Sequence, residues 1–523
     1  MVFCNVVSAA WMMAVAGISS WTPQASAAPL GDLVHELPMY GRPPTPMFSG
    51  YLDATNEGCD MATNGPVCKL HYWMAMGEDN EDGPAITKPV VLWLNGGPGS
   101  SSILGFLQEV GPLLINATGG LMENPWGWQR IVNVFVLEAP MGVGYSYCSR
   151  QVEGKKCLNT DRYTAKASRA ALVDFFTTKF PEFANNDFFI AGESYAGVYI
   201  PTLAQEILEH PSSKDLVNLK GVAVGDPCTD NDAQADSMDP LWYANKYGLM
   251  DTEVFNQLWN HCGGEFLAKY DIRHKPVQKE KKHKTKNKTK KPPPPMGKHA
   301  NYVMAATLNQ ELHPIEDLQE RKKKAVELYH ERVLGISAPS DGDEVDDWTA
   351  ECTMAYRKYL FSSSHALSQG WEDLYIDDYS LFAPVSTLED EYMTKYMNRN
   401  DVKVALHVEE TPIDDWPFPK AGFDYTKEYN ACNWQEDILF PNISMVDIYM
   451  DIVPKLDRTW IYNGNTDPCV SYEGTREAVK QILQPELDGG GYRPWFYNQT
   501  ASPIGVLEEK AILFGPNLVA QDS

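Results

Sequence analysis

Ser194 stands in Ala191-Gly192-Glu193-Ser194-Tyr195-Ala196-Gly197, between the apolar run Phe188-Phe189-Ile190 and a helix-like stretch from Val198 to Leu208. The apolar run reads as a buried strand. A serine on a strand-to-helix turn is held out from the backbone, and its small neighbours let the chain turn sharply enough to expose the hydroxyl. The turn also sets amides of the helix's first residues beside that hydroxyl, which suits nucleophilic attack on a carbonyl. A Gly-Ser turn in an ordinary α/β unit has the same local pattern, so the heptapeptide needs a partner. Leu92-Trp93-Leu94-Asn95-Gly96-Gly97-Pro98-Gly99-Ser100-Ser101-Ser102 is a strand running into a glycine-rich loop. Its glycines let backbone N–H groups approach a ligand closely. On one α/β scaffold the two loops could supply a nucleophile and an oxyanion hole.

Together with Glu138-Ala139-Pro140-Met141-Gly142-Val143-Gly144-Tyr145-Ser146-Tyr147 and Asn463-Gly464-Asn465-Thr466-Asp467, these loops resemble the serine carboxypeptidases, a family of α/β-hydrolases. The resemblance runs from about Phe48 to the last residues. It implies that Ser194 is the nucleophile and that the amides of Gly97 and Tyr195 form the oxyanion hole. It further implies that Asp467 fixes the tautomer of a catalytic histidine. Asn95, Gly96, Glu109 and Glu193 match the group that holds a peptide's terminal carboxylate. Two neighbouring carboxyls cannot both ionise cheaply, so they share a proton, donate to a carboxylate in acid and repel it above neutrality. The plain alternatives are a turn residue before Pro468 for Asp467 and a solvated helix-end charge for Glu109.

In this family the base follows the aspartate, but all eleven histidines here precede Asp467. His407, in Val404-Ala405-Leu406-His407-Val408, reads as a packed histidine rather than a surrogate. Relatives continue with a final strand and a Gly-His loop. The expectation is therefore an incomplete product of a gene for a working enzyme, lacking the last strand and inactive as written. Two other functions share these residues. One is an acyltransferase using the same Ser194, although related acyltransferases often carry Asp in place of Glu193. The other is a non-catalytic peptide- or carboxylate-binding protein.

The net charge of −26 argues against nucleic acid and anionic membranes as partners and leaves peptide or protein C-termini as the expected substrate. The apolar stretch Val2–Trp21 and the small-residue pattern Ala25-Ser26-Ala27 read as a secretory signal over 1–27, with a retained membrane anchor as the competing reading because the stretch has no basic residue before it. A secreted or lysosome/vacuole-like location follows, with no membrane span after signal removal. Removing Cys4 leaves nine cysteines that should mostly pair in an exported protein. Cys59/Cys68 and Cys148/Cys157 each bracket a short polar loop and are expected as local bridges. Many family members bond a cysteine at the position of Ser100 to the one matching Cys432, so the partner of Cys432 stays open. Asn116, Asn442 and Asn498 begin glycosylation tripeptides. No Cys-x-x-Cys or His-Glu-x-x-His spacing supports a metal, and no cofactor is expected.

These residues need elements to hold them. Pro89–Leu94, Val132–Leu137, Leu219–Val224 and Trp460–Tyr462 read as strands, and Thr164–Phe180 as a helix with Ala167, Ala171, Leu172, Phe175 and Phe176 facing a core. The alternation predicts an α/β-hydrolase with a mixed, mostly parallel central sheet and a helical lid insertion. The expected division is a first core part over 28–228, an insertion over 229–431 and a second core part over 432–523. Ile315–Leu334 reads as a helix of the insertion. Its loop 274–299 carries nine lysines and one glutamate between 275 and 291, which predicts disorder and a site of proteolytic cleavage.

Overall fold

The computed structural model describes residues 29–55, 59, 64–116, 118–235, 237, 242, 245–248, 250–262, 355, 388–413, 415, 416, 422–433, 443–464, 467, 469–482 and 512–514. Ten strands form one sheet: β1 (Leu33–Val34), β2 (Met47–Asp53), β3 (Cys68–Ala75), β4 (Val90–Leu94), β5 (Asn133–Leu137), β6 (Tyr147–Cys148), β7 (Phe188–Glu193), β8 (Leu219–Gly225), β9 (Arg458–Tyr462) and β10 (Ile512–Phe514). Their spatial order is β1-β2-β3-β5-β4-β7-β8-β9-β10, with β6 beside β3. The five central strands, from β5 to β9, are parallel, and the flanking pairs are antiparallel. Strand β10, not anticipated from the sequence, pairs with β9 through Thr459↔Phe514.

Side-chain alternation divides the core in two. Val90, Leu92, Leu94, Phe135 and Leu137 point into one layer, and Val91, Trp93, Val134 and Val136 into the other. Every residue of β4 and β5 is buried, as expected of parallel strands covered on both faces. The first layer is closed by α2 (Asp161–Asp174), α3 (Ala196–Glu209) and α6 (Met445–Ile452), the second by α1 (Ile103–Gln108), α4 (Leu388–Met397) and α5 (Asn400–Ala405). All five residues of the apolar face expected on the second helix are buried. The helix begins three residues early, where Thr160 Oγ1 accepts the Tyr163 amide at 3.1 Å. After Asp174 it widens into a π turn over Phe175–Lys179, followed by Pro181.

A buried polar network joins residues 397–416 to the sheet. Ser49 Oγ lies 2.9 Å from His71 Nε2, whose Nδ1 lies 2.9 Å from Glu138 Oε2. Ser49 also donates to the Leu406 carbonyl at 2.7 Å, and Trp416 Nε1 donates to Glu138 Oε1 at 3.0 Å. Both local disulfides are present, Cys59–Cys68 and Cys148–Cys157. Cys432 bonds Cys228, 204 positions away, which answers the question its spacing left open. Among the described residues Cys469 is the free cysteine, and no helix is long and apolar enough to cross a membrane. Asn116 Oδ1 closes its own turn by accepting the Thr118 and Gly120 amides. Asn442, Asn498, the lysine-rich loop and Ile315–Leu334 lie outside the described residues.

Candidate active site

Strand β7 ends at Glu193 and α3 begins at Ala196, so Ser194 and Tyr195 form the whole turn. Ser194 has φ 60°, a left-handed conformation that costs a non-glycine residue roughly 1–3 kcal/mol unless its surroundings enforce it. They do so through the backbone. Ser194 N donates to Gly225 O at 3.0 Å, and Ser194 O accepts from Gly197 N at 2.9 Å and Cys228 N at 3.0 Å. The turn sits at the carboxyl end of β7, next to β4. Strand β4 leads to β5 on one side and β7 to β8 on the other, which makes their shared crevice the switch point where open α/β sheets take ligands.

The Asn95–Gly99 loop enters that crevice. A Cβ built on Gly96 would lie 2.3 Å from Tyr195 N and 2.8 Å from Ser194 Cβ, so only glycine lets this backbone rest against the turn. If the Tyr195 amide is the oxyanion donor the resemblance implies, Gly96→Ala is expected to push the loop off it and lower kcat roughly 100-fold or more. Steady-state kinetics beside thermal unfolding checks this; unchanged kcat would contradict it.

Asn95 is buried and its amide orientation is fixed. Its Oδ1 accepts from Trp93 Nε1 and Gly105 N, each at 3.0 Å, which leaves Nδ2 to donate to Glu193 Oε1 at 2.8 Å. Glu109 is the C-cap of α1. It is an exposed helix-end residue, as its plain reading proposed. The protein groups around its carboxyl, with the nearby Asp226 carboxylate, raise it to about 7 against an opposing hydrogen bond from Asn95. Asn95 thus links Glu109 and Glu193.

The sequence reading missed Asp226 and Tyr462. Burial first, then the charges of Asp226, Glu193 and Glu109, raises the Tyr462 hydroxyl pKa. Asp226, φ 43°, accepts from Asn463 Nδ2 at 2.6 Å and Gly464 N at 2.9 Å, tying the end of β8 to the segment leaving β9. Its position at the carboxyl end of a parallel strand was the available signal.

Asp467 lies beyond the end of β9, the second strand from β7 in the sheet. Its Oδ1 accepts from Cys469 N at 2.6 Å and Val470 N at 3.2 Å. One oxygen therefore shapes a turn, as its plain reading proposed. The described histidines lie elsewhere. His71 is in the buried network. His407 Nε2 is 3.1 Å from Leu33 O on β1, five strands from β7 and hence ~24 Å from the turn, a packed histidine as expected. His210 ends α3, whose 14 residues carry it ~21 Å from Ser194. His261 lies against the Asn256 carbonyl, and His35 directly follows β1. Among the described residues no cluster of three or more His, Cys, Asp or Glu could hold a metal.

Residues 38–514 match the family profile described as serine carboxypeptidase. The Lysosomal protective protein of Mus musculus is 38% identical over 245 residues, which is 46% of each chain. Serine carboxypeptidase-like 21 of Arabidopsis thaliana is 28% identical over 483 residues, covering 90% of this chain and 86% of that one. The fold resembles that of Kex1(delta)p, a prohormone-processing carboxypeptidase from Saccharomyces cerevisiae, with a TM-score of 0.51 at 18% identity, over 83% of this chain and 76% of the other. The mixed sheet, the strand-end turn at the switch point and this breadth of similarity agree: the chain belongs to the serine carboxypeptidase family.

Proposed function

We propose that the protein is a serine-type carboxypeptidase that releases C-terminal residues from peptides through an acyl-enzyme. The observation carrying this reading is the Asn95–Glu193 hydrogen bond beside Ser194, with Glu109 on the same amide. In this reading Ser194 attacks the last peptide carbonyl. The Gly97 and Tyr195 amides receive the oxyanion, the terminal amino acid leaves, and water then releases the acyl group. Asn95, the Gly96 amide and the Glu109–Glu193 carboxyl pair, sharing a proton, hold the substrate's terminal carboxylate. Blocked dipeptides with a free C-terminus are expected to be cleaved roughly 100-fold faster than their C-terminal amides, since the amide forfeits a charge-assisted contact. Equal rates for the two would overturn the exopeptidase reading.

The sign of the pH dependence follows from Glu109. Below about 7 its carboxyl keeps a proton and donates to the substrate carboxylate; above it, the carboxylate repels that group. KM for free-acid peptides should therefore rise as pH goes from roughly 5 to 8, and Glu109→Gln, always a donor, should flatten the rise. A KM constant across that range would remove Glu109 from substrate recognition.

Asp467 would orient a histidine that takes the Ser194 proton. Intact mass and C-terminal peptide mapping of the native protein test the source of that base. A histidine beyond Asp467 completes the triad, whereas a native chain without one turns the cleft into a binding site for peptide C-termini. The three disulfides, the apolar N-terminal segment and the lysosomal name of the mouse relative support a secretory-pathway or lysosome-like location.

A further inference from the structure

Behind the Ser194 turn lies a buried carboxylate that the peptidase reading does not use. Asp161 opens α2 and is fully buried. Its Oδ1 accepts the hydroxyls of Tyr195 at 2.8 Å and Tyr425 at 2.7 Å, and its Oδ2 accepts the Glu428 amide at 2.5 Å. The first-turn position also favours negative charge at the positive end of the helix dipole.

Tyr195 follows the candidate nucleophile, and its amide is one of the two oxyanion donors in this reading. Its ring is buried, packs edge-on against Tyr199 and Tyr425, and carries Lys427 Nζ 4.8 Å above it. With the ring and the hydroxyl both fixed, the amide at the other end of the residue cannot rotate away.

The second donor belongs to the Gly97 loop, and it reaches the same carboxylate by another route. The Gly99 amide donates to Tyr199 Oη at 3.1 Å, and the Tyr199 ring packs against that of Tyr425, their centroids 6.4 Å apart. Tyr425 gives its proton to Asp161. The loop thus reaches the carboxylate through a hydrogen bond at each end, Gly99 to Tyr199 and Tyr425 to Asp161, with ring packing between them. Phe423 closes the contact, since a Cβ on Gly99 would overlap its ring at 1.9 Å.

We propose that Asp161 is the positioning residue of the oxyanion hole, fixing the Tyr195 amide directly and the Gly97–Gly99 loop through Tyr199 and Tyr425. The strand Phe423–Thr426, parallel to Cys157–Thr160, is the brace that brings Tyr425 to this carboxylate. The proposal rests on the carboxypeptidase reading, because only an acyl-transfer site needs these two donors aligned.

The test uses the full-length protein expressed from its own gene, with active sites counted by phosphonate titration of the serine. Tyr425→Phe and Asp161→Ala should lower kcat per titrated site about tenfold or more, with KM within about twofold of the parent. Asp161→Asn keeps Oδ1 as an acceptor and should recover part of the loss. Affinity for a boronate that mimics the tetrahedral intermediate should fall in step with kcat/KM, while affinity for the blocked amino-acid product stays constant. A purely structural role would reduce the number of titratable sites and leave kcat per site intact, and that result would overturn the proposal. Should Asp161→Ala not fold, Tyr425→Phe carries the same comparison. A parent protein with neither labelling nor turnover would instead refute the peptidase reading beneath it.

Discussion

Ser194→Ala should fold, bind product normally and hydrolyse blocked dipeptides at roughly 10⁻⁴ to 10⁻⁶ of the parent kcat/KM, because the oxyanion donors and substrate contacts remain while the attacking group is gone. Phosphonate labelling should vanish with it. The backbone adds a second expectation. Ser194 sits at φ 60°, and alanine inherits that left-handed conformation while glycine occupies it without a Cβ penalty. Ser194→Gly should therefore lose as much activity as Ser194→Ala yet be more stable, by about 1 kcal/mol in urea unfolding. Activity within tenfold of the parent would mean that chemistry runs through another group. Equal stability of the two variants would mean that the hydrogen bonds to Gly225, Gly197 and Cys228 do not hold the turn in a costly shape.

Local elements were legible because their signals are local. The strand before Ser194 was read from Phe188-Phe189-Ile190, and it continues through Ala191-Gly192-Glu193, whose small and charged members carry no apolar signal. Their pairing comes from neighbours instead: Gly192 lies opposite Leu94 on β4 and Val224 on β8. The glycine-rich loop was legible for a similar reason, since Gly96 answers a contact of its own backbone with the turn. Asp226 was not, because what matters about it is the register Gly225↔Tyr462, which sets it beside Asn463 and Gly464. Asp161 marks a helix start in the sequence, and its hydrogen-bond donors come from residues 195, 425 and 428. Nothing within one window joins them. Spacing failed for the cysteines once the separation grew: nine positions suggested a bridge, and 204 did not.

That long bridge has the largest expected effect on stability. Replacing Cys228 and Cys432 together with serine should cost about 5 kcal/mol, and the pair Cys59 and Cys68 only about 2.6, if closing a loop in the unfolded chain is the main term. The estimate follows from the separations alone, since loop entropy grows with the logarithm of their length. The native contacts add to it. Cys228 N holds the Ser194 carbonyl, Asn231 Nδ2 donates to Asn433 O at 2.6 Å, and Lys427 Nζ donates to Cys432 O. Losing the bridge should thus loosen the nucleophile turn and the Tyr425 brace together, lowering kcat per titrated site as well as stability. Urea unfolding of both double variants under non-reducing conditions measures the difference. A Cys228/Cys432 variant within 1 kcal/mol of the parent would show that packing of Ala431 and Tyr429 in the core already confines the chain there. A lower kcat with little change in stability would locate the bridge's value in the geometry of Ser194 rather than in the unfolded chain.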